Sequence, residues 1–122
     1  MIRVVVINEN GAEVREIEDS LEVFYDIIGC DLIDITVREV KGIALDFIVD
    51  DEGLLKDDPV ARAISLSHPS TDVLVGNIIV SQANEEGEQI SLTDKEVEAV
   101  ISRMGIACNP ATDTLYDILV MD

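Results

Sequence analysis

The stretch VDDEGLLKDDP, residues 49–59, sets five carboxylates in eleven positions. Carboxylates at that density can ligate a hard cation, form an acid–base pair, imitate nucleic-acid phosphates or simply solvate a turn. A calcium loop of the EF-hand type needs glycine at its sixth position, and aligning Gly53 there puts Ile48 first and Pro59 twelfth, where acids are required. The match fails at both anchors, and a looser divalent-cation site on Asp50, Asp51, Glu52 and Asp57 is the remaining metal reading. No metal or cofactor is assigned. A catalytic carboxylate pair needs one acid held neutral in an apolar pocket beside one kept ionised. The strand-borne Asp34 and Asp46 alternate with apolar neighbours, so both are expected in water. No catalytic residue is assigned, and a non-enzymatic protein is expected.

The other reactive groups are few. His68 is the single histidine, and in SLSHPS it reads as a turn residue, although a pairing with Cys30 or Cys108 stays open. The two cysteines form no CxxC pair and read as free thiols. The glycines are too widely spaced for a phosphate-cradling loop, and with no Trp, two Phe and two Tyr a base-stacking platform is not expected.

Charge narrows the partners. Twenty-six Asp and Glu against eight Lys and Arg give a formal net charge of −18. Nucleic acids and anionic membranes are held by clustered Lys and Arg, which are scattered singly here, so direct contact with either is not expected. A basic protein surface is the favoured partner. The alternative is a small ligand such as a signalling nucleotide, held by Arg3, Arg15, Arg38 and Arg62, with oligomerisation bringing several together. A homodimer is compatible with either. By mass scaling the folded monomer exposes on the order of 6,400 Å², or one excess negative charge per roughly 360 Å², against about one per 110 Å² on B-DNA. Imitation of DNA therefore requires clustering, and the candidate partner-binding residues are Asp50, Asp51, Glu52, Asp57 and Asp58 together with Glu85, Glu86 and Glu88. That clustering needs both loops at one end of a sheet.

The elements that must position these residues follow from periodicity. IRVVVIN and AEVREIE predict a hairpin turning at Asn10-Gly11. Asp19 with Glu22 has capping-box spacing, and Leu21, Phe24, Tyr25 and Ile28 stripe a short helix stopped by Gly29. LIDITVREV and IALDFIV predict a second hairpin about Lys41-Gly42, with Ile33, Ile35 and Val37 inward on the first strand and Ile43, Leu45, Phe47 and Val49 on the second. Asp58-Pro59 opens a brief helix over PVARAISLS. TDVLVGNIIV, apolar on both faces, predicts a central strand covered on each side, by this chain or a partner subunit. QANEEGEQ reads as a polar loop. Thr93 and Glu96 form a capping box ahead of a helix striped by Val97, Val100, Ile101 and Met104 and stopped by Gly105. In NPATDTLYDILVMD a terminal strand is favoured over a helix opened by Asn109-Pro110. The sum is a single α+β domain, residues 1–122, with a mainly antiparallel sheet of about five strands and two principal amphipathic helices. The N-terminal apolar run is too short for a secretory signal, and no stretch approaches the roughly 20 apolar residues of a membrane span. A soluble cytoplasmic protein is expected.

EIEDSLEVFYDIIGCDLIDIT, IVDDEGLLKDDPVARAI and DVLVGNIIVS, followed by ISLTDKEVEAV, together resemble domain of unknown function 3846, over about residues 1–102. The middle block carries most of the likeness: Glu52-Gly53, Leu55-Lys56, Pro59 and Ala63 match, while Asp57-Asp58 stand where Gly-Leu is common and Val60-Ala61 where Pro-Asn is usual. Residues 102–122 form a C-terminal extension outside the likeness. The resemblance implies no activity, catalytic residue or cofactor. It implies a setting in phages, plasmids and gut-associated bacteria, and with it an accessory protein of a mobile element acting in the host cytoplasm. Joined to the charge, this leads to the expectation of a DNA-mimic-like inhibitor of a host DNA-binding or defence protein, of restriction or CRISPR type.

Overall fold

A computed structural model describes residues 1–55, 60–69 and 72–122. Two α-helices and ten strands follow in the order β1 Ile2–Asn8, β2 Gly11–Ile17, α1 Leu21–Ile28, β3 Ile33–Val40, β4 Ile43–Asp50, β5 Ala61–Ser65, β6 Val73–Val75, β7 Ile78–Ala83, β8 Gln89–Ile90, α2 Asp94–Ser102, β9 Met104–Asn109 and β10 Thr114–Met121. The fold class is α+β, as expected. The strands divide into two sheets rather than one: an antiparallel sheet β2-β1-β7-β4-β3, with β8 added on β7, and a second sheet β6-β5-β10-β9 in which β5 and β10 run parallel.

Period-2 alternation explains the layering. Val5, Ile7, Leu45, Phe47, Val49, Ile78 and Val80 of the first sheet pack with Ala63, Leu119 and Met121 of the second and with Leu92, Ala99 and Val100 around α2. The opposite face of the first sheet, with Val4, Val6, Ile48 and Ile79, is covered by Phe24 and Ile28 of α1. The central strand β7 is therefore buried on both faces: Ile78, Ile79 and Val80 expose nothing.

Local signals place several elements as expected. The β3–β4 turn Lys41-Gly42 has φ of 52° and 75°, the left-handed pair of a type I′ hairpin turn. Gly29 ends α1 at φ 76°, its N–H donating to the Tyr25 carbonyl at 2.8 Å. The Thr93–Glu96 capping box is complete: the Glu96 N–H donates to Thr93 Oγ1 and the Thr93 N–H to Glu96 Oε1.

Other elements differ, each for a physical reason. The first turn lies at Glu9-Asn10, one residue early, because Asn8 Oδ1 accepts from the Asn10 N–H at 2.8 Å and Gly11 already pairs with Asn8. The N-cap of α1 is Ser20, whose hydroxyl accepts from the Val23 N–H, not Asp19. Ile35 and Val37 are not inward. The pairing of Ile35 with Ile48 turns them toward the α1 side, and α1, eight residues or about 12 Å long, covers the central strands but not this edge. TDVLVGNIIV breaks at Gly76, φ 76°, where the chain leaves the second sheet and enters the first. The residues read as a brief helix after Pro59 form β5 instead, since β10 pairs with Ala63–Ser65 in parallel, a partner more than fifty positions away. The Asp58-Pro59 helix start itself lies outside the described residues. Helix α2 stops at Ser102, and Met104 and Gly105 open β9 opposite Leu119 and Ile118.

The two sheets are also tied by polar contacts at one point. Asp122 accepts from the Lys41 and Gly42 N–H groups at 3.0 and 2.7 Å and from Arg103 at 2.9 Å. Its own N–H donates to the Glu39 carbonyl. Residues beyond 102 are thus built into the core and into the turn of the first sheet.

Candidate acidic site at the end of the first sheet

The end of β4, the start of β3 and the C-terminus of α1 meet at one edge of the molecule. Gly29 reverses the chain after α1, so Asp26 on the last turn and Asp31 beyond the stop come to the same place. Across from them, β4 ends at Asp50, whose Oδ1 accepts from the Glu52 N–H at 2.9 Å and bends the chain outward. The Asp51 N–H donates to the Leu32 carbonyl at 3.0 Å and joins the two segments. Between them lies a concavity of about 650 Å³ lined by Tyr25, Asp26, Gly29, Cys30, Asp31, Leu32, Asp50 and Glu52.

The described lining of this hollow carries charge of one sign. Among the described residues that line it, four are carboxylates and none is Lys, Arg or His. The C-terminus of α1 adds its partial negative charge, with no basic side chain in the last turn to offset it. Asp26, Asp31 and Glu52 are exposed, so the surface can offer these three carboxylates to a cationic group without first uncovering them; Asp50 is half-buried and already engaged. Among the described residues no group of three or more His, Cys, Asp or Glu side chains is arranged to hold a metal ion.

The structure separates the residues that the sequence singled out. Asp50 and Glu52 line the hollow, while Asp51 faces a smaller neighbouring one with Gly53, Leu55 and Val73–Val75. Asp57 and Asp58 lie outside the described residues. Glu85, Glu86 and Glu88 are exposed in the β7–β8 turn, where Asn84 Oδ1 accepts from the Glu86 and Glu88 N–H groups at 3.0 Å. They do not join Asp50–Glu52. The β4–β7 register pairs Asp46 with Ser81 and Ile48 with Ile79, so extending it sets the β7–β8 turn beside the start of β4, on the order of 24 Å from Asp50 at about 3.4 Å per residue. The requirement that both acidic loops share an end is not met. Asp26 and Asp31 take the place of the glutamates. Their signal in the sequence was the glycine stop between them, which folds two acids back on each other.

Averaged over the surface, 18 excess negative charges lie on 7003 Å², roughly one per 390 Å² against about one per 110 Å² on B-DNA.

The remaining candidates are placed plainly. Asp34 is exposed, but Asp46 is half-buried and accepts from Gln89 Nε2 at 3.0 Å, beside a Ser81–Gln89 hydrogen bond. His68 is exposed in the turn after β5, in a hollow with Arg38, Ser65, Ser67, Asp72 and Asp122 that neither cysteine lines. Cys30 is half-buried beside the acidic site, and Cys108 is exposed on β9. Arg3 pairs with Asp94 at 2.8 Å, Arg15 with Glu13 at 2.9 Å, Arg38 with Asp72 at 2.9 Å and Arg103 with Asp122 at 2.9 Å. Arg62 differs: it is 8% exposed and its Nε and Nη1 have no hydrogen-bond partner among the described residues.

Fold and site together define a small acidic α+β domain, two sheets and one covering helix, with a carboxylate-walled hollow at a sheet end. No helix among the described residues is long and apolar enough to cross a membrane. The chain belongs to the family described as domain of unknown function DUF3846, whose model matches residues 2–105. No curated protein and no solved structure matches it. The family match ends inside β9, so β10, which supplies Ile118, Leu119 and Met121 to the interior, lies beyond it.

Proposed function

We propose that this protein is a non-enzymatic accessory protein of a phage or mobile element. It acts in the host cytoplasm by offering its acidic surface to a basic host protein of DNA-binding or defence type. The observation that supports this reading is the hollow walled by Asp26, Asp31, Asp50 and Glu52 at the negative end of α1, with no basic side chain among its described lining residues. An arginine or lysine entering it meets several carboxylates and a helix C-terminus at once, whereas a phosphate meets only repulsion. Mean charge density falls well short of that of DNA, so the reading is of local capture of basic side chains rather than imitation of a whole duplex.

The test is a pull-down from host lysate at low and at high salt. It is repeated with a variant carrying Asp26→Asn, Asp31→Asn, Asp50→Asn and Glu52→Gln together. Capture through this surface weakens steeply as salt rises and is lost in the variant. Capture that survives both changes removes the acidic hollow from the account. A nucleotide-sequestering role has less support, because four of the five arginines are already paired with carboxylates of the same chain.

A further inference from the structure

Arg62 sits in a bulge of β5: the β5–β6 register shifts between Ala61 and Ala63. A bulge adds one residue to a strand and re-aims its side chain. Arg62 is more than nine-tenths buried, and its guanidinium carbon lies 6.0 Å from the centre of the Tyr116 ring on the neighbouring strand β10. Neither Nε nor Nη1 has an acceptor among the described residues. The ring face accounts for part of the charge's stabilisation, but it offers no lone pair to an N–H donor, and a guanidinium carries five such donors and stays charged at all ordinary pH. A buried cation without a hydrogen-bonded counter-charge is among the least favourable arrangements in a protein interior.

We propose that Arg62, backed by Tyr116, is the receptor for a single oxyanion group, carboxylate or phosphate, supplied from outside the chain. The site is independent of the acidic hollow. It is the one place among the described arginines where an anion finds a guanidinium not already engaged by a carboxylate. Nε–H and Nη1–H lie on different edges of the guanidinium, so a two-oxygen acceptor engages one of them together with Nη2, and the low-polarity surroundings strengthen a single charge pair well beyond its value in water. One guanidinium in a bulge holds one anionic group, so a ligand with several phosphates gains nothing from the others here.

The experiment is thermal unfolding of the wild-type chain and of Arg62→Met in separate titrations of inorganic phosphate and of acetate, with ionic strength held constant by chloride. For the wild type, an anion at about ten times its dissociation constant raises the folding equilibrium constant about elevenfold, and the more effective of the two anions identifies the ligand chemistry. Arg62→Met shows no such rise and, without added anion, unfolds no more readily than wild type, since it removes the orphan charge. Equal responses in both proteins, meaning an adventitious ion only, overturn the proposal. So does an Arg62→Met variant much less stable than wild type together with an equally destabilised Asp57→Asn, Asp58→Asn pair, which assigns the guanidinium to the chain's own carboxylates. The nitrogen-15 resonance of Arg62 Nε in the wild type gives a readout that needs no variant to fold: a saturable shift on adding the anion supports the site, and an unmoved resonance overturns it.

Discussion

Leu119 gives the sharpest test of whether the second sheet belongs to the same cooperative unit as the first. It exposes nothing, stands in the main core, and pairs with Ala63 of β5 on one side and Met104 of β9 on the other. Truncation to Ala removes buried methyl groups and leaves a cavity in the interface between the sheets, at a cost of about 3–5 kcal/mol. For a chain of 122 residues, whose total stability is on the order of 6–18 kcal/mol, that is a large share of the whole. In urea, with a slope of about 1–3 kcal/mol per molar, the midpoint falls by roughly 1–5 M while the slope stays unchanged. Ile106→Ala, at a position 71% exposed on the same sheet, serves as control and shifts stability by less than about 0.5 kcal/mol. Far-UV circular dichroism in urea measures both. Equal, small effects from the two substitutions would mean that β10 does not share the core described above and that residues 106–122 are an appendage.

Glu96 gives a pH-dependent signature. Burial alone pushes its carboxyl up, but the Thr93 N–H, the Gln82 amide and the Thr93 hydroxyl together outweigh it and hold the carboxyl below its ordinary value. The sign follows: the contribution is present above the ordinary glutamate range and is lost as pH falls through the lowered folded value, so Glu96→Gln flattens the acid limb of stability against pH. Thr93→Ala removes the reciprocal cap and costs about 1 kcal/mol, read by the same urea titration. Asp122→Ala leaves the Lys41 and Gly42 N–H groups and Arg103 without their common acceptor and costs about 1–3 kcal/mol by thermal or urea unfolding. Hydrogen exchange of the Lys41 and Gly42 amides accelerates in that variant.

Much of the first sheet was legible because its determinants are local. The Lys41-Gly42 turn, the glycine stop of α1, the Thr93–Glu96 box and the two apolar faces of Ile78–Val80 each depend on residues within a few positions of one another. The errors arose where a partner far along the chain decided the outcome. Residues 61–65 carry a strand only because β10 lies beside them, and parallel pairing leaves no turn signal in the intervening sequence. Ile35 and Val37 alternate as a core strand should, but their exposure depends on the length of a helix packed elsewhere.

The same division holds for the candidate sites. By itself the sequence determined that the surface is strongly acidic, that cations are too few for a nucleic-acid face, and that acids flank both Gly29 and Gly53, because composition and chain reversal are properties of neighbouring residues. Only the tertiary structure decided that Asp26 and Asp31 meet Asp50 and Glu52 while Glu85–Glu88 sit at the other end of β4, since strand register, not sequence distance, sets which loops share an edge. It also decided that Arg62 is buried with Nε and Nη1 lacking an acceptor among the described residues while four other arginines are paired with carboxylates, because burial is a property of the packed sheets and no local pattern encodes it.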